Sequence, residues 1–212
     1  MQTVLRVLAL LVPAGWICAC GTASDHVHHH PAPAALEPLL ETPAFELVDS
    51  HGRTVRSSDL AGKVWLVDFI FTRCTGPCPL MTQRMKTIQD SLREAGLAGP
   101  DAPVRLVSIS VDPAWDTPPV LAEYAAAWQA DTSNWDFLTG PPDETLKLIR
   151  EGFKITADPE GSGSTNIVHS TSFLLVDQRG MVRRIYRMDE PTLEADAVED
   201  IRKLLAEAAS GN

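Results

Sequence analysis

The run Val64-Trp65-Leu66-Val67-Asp68-Phe69-Ile70-Phe71 is too continuously apolar for a half-exposed strand, so it is expected at the centre of a sheet covered on both faces. It leads into Cys74-Thr75-Gly76-Pro77-Cys78, and after Pro79 the residues Leu80, Met81, Met85, Ile88 and Leu92 recur at helical spacing. The cysteine pair therefore falls at a strand-to-helix junction, with Cys78 at or near the helix N-cap. There the partial positive charge of the helix end is expected to favour thiolate over thiol. A thiolate pair so placed can do redox chemistry or bind a soft metal.

The rest of the chain alternates strand and helix signals. Ala44 to Val48 and Val55 flank the turn-like Asp49-Ser50-His51-Gly52, which predicts a small hairpin. Val104 to Val111 is a second buried strand ending at Asp112-Pro113, and Thr117-Pro118 opens a helix through Leu121, Tyr124, Ala125 and Trp128. A short strand over 135–138 is followed by a helix over about 142–151 and then by a long loop, 154–168, without periodicity. Loops of that length inside a domain are usually functional or disordered. Strands over 171–176 and 182–188 surround the turn Asp177-Gln178-Arg179-Gly180, and a helix over 192–208 closes the pattern. This order predicts an α/β fold with a thioredoxin-like mixed central sheet flanked by helices, extended by an N-terminal hairpin.

The N-terminus reads as an export signal. Arg6 gives a positive start, Val7 to Val12 a short apolar core, and Ile17-Cys18-Ala19-Cys20-Gly21 looks like a bacterial lipobox with Cys20 as the lipidated residue. The alternative is an uncleaved membrane anchor, for which Pro13 and the limited apolar length make a full span marginal. The expected organisation is a signal peptide over 1–19, a flexible His/Pro/Ala-rich tether over 20–43, and the folded domain over 44–208. The protein is then exported, held to the membrane by its lipid, and faces the periplasm or cell exterior. In such an oxidising compartment a close cysteine pair tends to a disulfide, so its working form is maintained by a partner or belongs to a cycle. Within the tether, His26-Val27-His28-His29-His30 could collect copper, nickel or zinc, or be a solvated polar tract. The formal net charge of −10, or −11 once Arg6 leaves with the signal, argues against nucleic acid as a partner.

Three motifs carry a family resemblance. Phe69-Ile70-Phe71-Thr72-Arg73-Cys74-Thr75-Gly76-Pro77-Cys78-Pro79, then Ser108-Ile109-Ser110-Val111-Asp112-Pro113-Ala114-Trp115-Asp116-Thr117-Pro118, then Ile167-Val168-His169-Ser170-Thr171-Ser172-Phe173 resemble the Sco/SenC copper-delivery proteins, over roughly Phe45 to Leu205. The resemblance implies copper, as Cu(I) or Cu(II), held by Cys74, Cys78 and His169. It implies delivery to the binuclear copper site of cytochrome c oxidase, so that the partner is the apo copper-binding subunit, alongside other copper chaperones or thiol reductases. The residue types fit independently: thiolates select Cu(I), and an imidazole adds a ligand that also suits Cu(II). Three residues between the cysteines widen the loop relative to Cys-x-x-Cys, which lets both sulfurs turn toward one ion. The family's loop often has Pro-Asp after the first cysteine where this chain has Thr75-Gly76, a change that removes no ligand.

Several readings stay open at this stage. Cys74 and Cys78 could instead be a redox-active pair, making the chain a thiol-disulfide oxidoreductase that reduces the oxidase cysteines, or a structural disulfide. A peroxidase of the same fold is disfavoured because Phe71 stands where its Pro-x-x-x-Thr-x-x-Cys pattern needs proline. His169 is either a ligand, with the 154–168 loop as a lid that carries it toward or away from the cysteines, or an ordinary histidine near a strand start. Asp112 and Asp116, expected at the same end of the sheet as the cysteines, either hydrogen-bond a ligand or mark a docking surface, or else Asp112 fixes the turn before Pro113 and Asp116 helps cap the next helix. Trp115 between them is expected to be exposed toward a partner, and a monomer is the default.

Overall fold

Strand β4 (Val64–Ile70) is buried at every residue and lies in the middle of the sheet. In the computed structural model, which describes residues 36–159 and 167–210 (side chains at 157–159 and 167–169 excepted), β4 follows β1 (Leu40–Glu41), β2 (Glu46–Asp49) and β3 (Thr54–Arg56). Helix α1 (Cys78–Glu94), β5 (Val104–Ser110), α2 (Pro118–Ala127), β6 (Trp135–Thr139) and α3 (Pro142–Lys147) come next. The chain continues with β7 (Ala157–Pro159), β8 (Ile167–His169), β9 (Ser172–Val176), β10 (Met181–Arg187) and α4 (Leu193–Ala209). One sheet runs β1-β10-β9-β4-β5-β6-β2-β3, with β4, β5 and β6 parallel and the remaining pairs antiparallel. The fold class and the hairpin extension, β2 with β3, are as the sequence predicts.

Alternation along β4 divides its side chains between two apolar layers. Trp65 and Phe69 meet Phe153, with ring centroids 6.4 and 5.3 Å apart, and Phe45 packs against the same group. On the other layer, α1 buries Met81, Met85, Ile88 and Leu92, the stripe that its sequence spacing prescribes. Tyr124 of α2 and Thr82 of α1 share a hydroxyl hydrogen bond of 2.7 Å, and α4 packs beside α1.

Three elements differ from the sequence reading. Residues 36–43, placed there in the tether, lie on the sheet. Leu36 is buried, Arg183 Nε donates to its carbonyl, Leu39 N–H donates to Val182 at 2.8 Å, and β1 pairs with β10. The Pro/Ala/His-rich composition upstream masks this short pairing segment. The helix expected over 142–151 stops at Lys147 and widens into a π-helical turn, Leu148–Gly152, after which Lys154 adopts φ +59°. The 154–168 loop contains an antiparallel pair, β7 with β8, in which Ala157 faces His169. Strands of three residues are too short to show a period. The segment read as a signal peptide, Cys20 and the histidine tract His26–His30 lie outside the described residues.

Candidate functional site

The cysteines stand where β4 gives way to α1. Cys74 N–H donates to the Phe71 carbonyl at 3.3 Å, and its sulfur accepts from Gly76 N–H at 3.4 Å. Pro77 is the N-cap, Cys78 is the first helical residue, and Pro79 follows where a missing N–H costs the helix nothing. Both are thiols, Cys74 half-buried and Cys78 buried. Burial pushes the Cys78 thiol far above its ordinary value, and the hydrogen bond it shares with Cys74 and the nearby Asp68 carboxyl act in the same direction. This corrects the expectation of a helix-stabilised thiolate at Cys78. A helix end offers about half a charge, which does not offset loss of solvent around the sulfur. Cys74 is the less buried of the two, and burial disfavours the thiolate at Cys78.

Asp68 is the one carboxylate in the apolar run, and it is fully buried. Ser108 Oγ donates to Asp68 Oδ1 at 2.5 Å, and Trp135 Nε1 donates to Ser108 Oγ at 3.0 Å. Asp68 Oδ2 meets no hydrogen-bond partner among the described residues, and burial pushes the carboxyl up to about 7. Sequence reasoning passed over this residue, although a lone acid inside a continuous apolar strand was the visible signal.

The parallel pairing of β4 with β5 brings Asp112 and Asp116 to the end of the sheet from which Cys74 emerges. Neither caps α2 with its side chain: Thr117 is the N-cap, without a side-chain cap bond. The turn is closed instead by the Asp112 carbonyl, which accepts from Trp115 and Asp116 N–H, both at 2.9 Å. The Asp112 carboxylate takes Arg73 Nε at 2.7 Å, and the Arg73 guanidinium lies over the Trp115 ring. Asp116, fully buried, accepts from Thr72 Oγ1 at 2.6 Å and Ser110 Oγ at 2.5 Å. Thr72 and Arg73 thus join the site, and nothing in the sequence marks them except adjacency to Cys74.

His169 ends β8, three residues before β9 begins. Because β9 runs antiparallel to β4, its N-terminal end lies at the cysteine end of the sheet. The backbone therefore starts β9, three residues after His169, at that end, while the His169 side chain lies outside the description. Among the described residues no three His, Cys, Asp or Glu side chains form a cluster suited to a metal.

A dithiol at the strand-to-helix junction of a mixed sheet in this order defines a thioredoxin-like thiol protein. Within that class the chain belongs to the SCO1/SenC family, whose model matches residues 34–206. A SCO1/SenC family lipoprotein from Bacillus anthracis is 35% identical with a TM-score of 0.73, over 81% of this chain and 99% of the other. BsSco, a member of the Sco family of cytochrome c oxidase assembly proteins with a disulfide switch, is 35% identical with a TM-score of 0.68, over 79% and 95%. Bradyrhizobium japonicum ScoI, solved with copper bound, shares the fold at 23% identity and a TM-score of 0.65, over 77% and 99%.

Proposed function

We propose that this chain is a copper metallochaperone that holds one copper ion through Cys74, Cys78 and His169. It passes the ion by ligand exchange to the apo copper-binding subunit of cytochrome c oxidase during assembly of the binuclear copper site. The observation that carries the reading is the meeting of the two thiols at the C-terminal end of β4, the end of the sheet at which β9 begins three residues after His169. Two soft sulfurs and an imidazole suit copper better than harder cations. Copper uptake releases thiol protons, and burial makes the Cys78 proton hard to remove. In this reading Cys20 carries a lipid, residues 20–35 and the histidine tract space the domain from the membrane, and the site faces the periplasm or cell exterior.

One observation favours a second reading, a thiol-disulfide oxidoreductase acting on the oxidase cysteines. Cys74 is accessible and Cys78 is buried, the asymmetry of an attacking and a resolving thiol. Cys74 would attack the target disulfide, Cys78 would then displace the target from the mixed disulfide, and two electrons and two protons would pass to the target. The test adds copper-loaded protein to the reduced apo subunit and, separately, copper-free dithiol protein to the oxidised subunit. Transfer of copper in the first arm supports the chaperone. Reduction in the second arm with no transfer in the first replaces it with the reductase.

A further inference from the structure

The two sulfurs are positioned by different parts of the molecule. Cys78 rides on α1 and is packed into the core beside Met81. Cys74 sits on the short arm that leaves β4, where its own N–H turns back to the Phe71 carbonyl at 3.3 Å. What fixes this arm is the neighbouring strand. Thr72 donates its hydroxyl to Asp116 Oδ1 at 2.6 Å, and its N–H faces both carboxylate oxygens at 3.3 Å. Ser110 Oγ donates to Asp116 Oδ2 at 2.5 Å and accepts Asp112 N–H at 3.0 Å, tying the carboxylate into the end of β5.

We infer that Asp116 is a positioning residue for Cys74: its fully buried carboxylate locks Thr72 to the end of β5 and so sets where the Cys74 sulfur stands relative to Cys78. A carboxylate suits this task because it accepts all of these donors at once, which a hydroxyl or an amide does not. The arm cannot shift without unpairing a buried anion, so the sulfur spacing is preset before any ion or partner arrives. The inference rests on the copper reading only for its main readout. The same spacing also governs closure of the Cys74–Cys78 disulfide.

The test compares wild type with Asp116→Ala, Asp116→Asn and Thr72→Val, and uses Asp200→Asn as control. Asp200 is likewise a buried acid, on α4, that takes the Tyr186 hydroxyl at 2.9 Å and, among the described residues, makes no bond to the Cys74 arm. Copper affinity and the thiolate-to-Cu(II) charge-transfer band are read alongside thermal unfolding, and the dithiol/disulfide equilibrium is read in glutathione buffers. Loss of a group that orients a ligand lowers metal affinity about 10–100-fold. That loss and an altered band are expected in Asp116→Ala and Thr72→Val, with partial recovery in Asp116→Asn, which keeps one acceptor for Thr72. Asp200→Asn is expected to lower the unfolding temperature and leave affinity, band and disulfide equilibrium as in wild type. Should Asp116→Ala fail to fold, Thr72→Val removes the same bond with little change of shape. Wild-type affinity, band and disulfide equilibrium in folded Asp116 and Thr72 variants, or equal losses in Asp200→Asn, overturn the inference. A wild type that takes up no copper refutes the copper reading instead, and the disulfide equilibrium then decides the positioning role by itself.

Discussion

The Arg73 guanidinium lies 4.8 Å from the centre of the Trp115 ring, with its Nε held by Asp112 at 2.7 Å. Trp115 remains 52% exposed, so this stack holds a large aromatic surface in the solvent directly beside the residue that precedes Cys74. A cation stacked on an indole is worth ~0.5–1 kcal/mol at an exposed site, too little to account for the residue by stability alone.

Trp115→Ala is therefore expected to leave copper uptake unchanged and to weaken binding to the acceptor subunit by about tenfold or more, as loss of an aromatic anchor does. Titration calorimetry with the acceptor, next to a copper titration, separates the two effects. A variant that binds the acceptor as tightly as wild type removes Trp115 from the interface.

Asp68 makes stability depend on pH in a definite direction. Its folded-state carboxyl titrates at about 7, against about 4 in the unfolded chain. The folded protein holds this proton more tightly, so its contribution is complete below about pH 4 and is lost as pH rises toward and through 7. Urea unfolding at pH 5 and pH 8 is expected to show a steeper decline for wild type than for Asp68→Asn. Parallel profiles would show that Asp68 is ionised in the fold.

The two thiols are expected to differ in reactivity. Alkylation by iodoacetamide at neutral pH should modify Cys74 more than about tenfold faster than Cys78, whose thiolate is suppressed by burial. Mass spectrometry of peptides from timed samples reads this directly. Equal rates would mean that Cys78 is exposed in solution.

The segment before β2 is expected to contribute to folding. A chain beginning at Ala44 loses the Leu36 carbonyl from Arg183, the Leu39-to-Val182 hydrogen bond and β1. With net values of about 1 kcal/mol for each such bond, the unfolding free energy should fall by ~2–4 kcal/mol relative to a chain beginning at Leu36. Equal urea midpoints would place residues 36–43 with the tether.

How much of this could be read from the sequence follows from the scale of each interaction. The β4 run was legible because burial on both faces makes a strand continuously apolar, and the α1 stripe because burial of one face imposes a period of 3.6 residues over a long segment. The cysteine pair and the two aspartates were legible by position, and parallel pairing of β4 with β5 then puts them at one end. The state of Cys78 was not, since helix-end charge can be inferred from sequence whereas the burial that overrides it depends on packing by the whole core. Thr72 and Arg73 depend on partners about forty residues away, Asp116 and Asp112, and β1 depends on β10 across the chain. Contacts of that range leave no local pattern.

The central claim is a three-ligand copper site, and an anaerobic copper titration of the reduced domain beside His169→Ala, followed with Cu(II) by sulfur-to-copper charge-transfer absorption, tests it most directly. One tightly bound copper per chain, with intense absorption that is weakened or lost in the variant, is the predicted result. Oxidation of the cysteines with no ion retained, or the same affinity and absorption in His169→Ala, would contradict it.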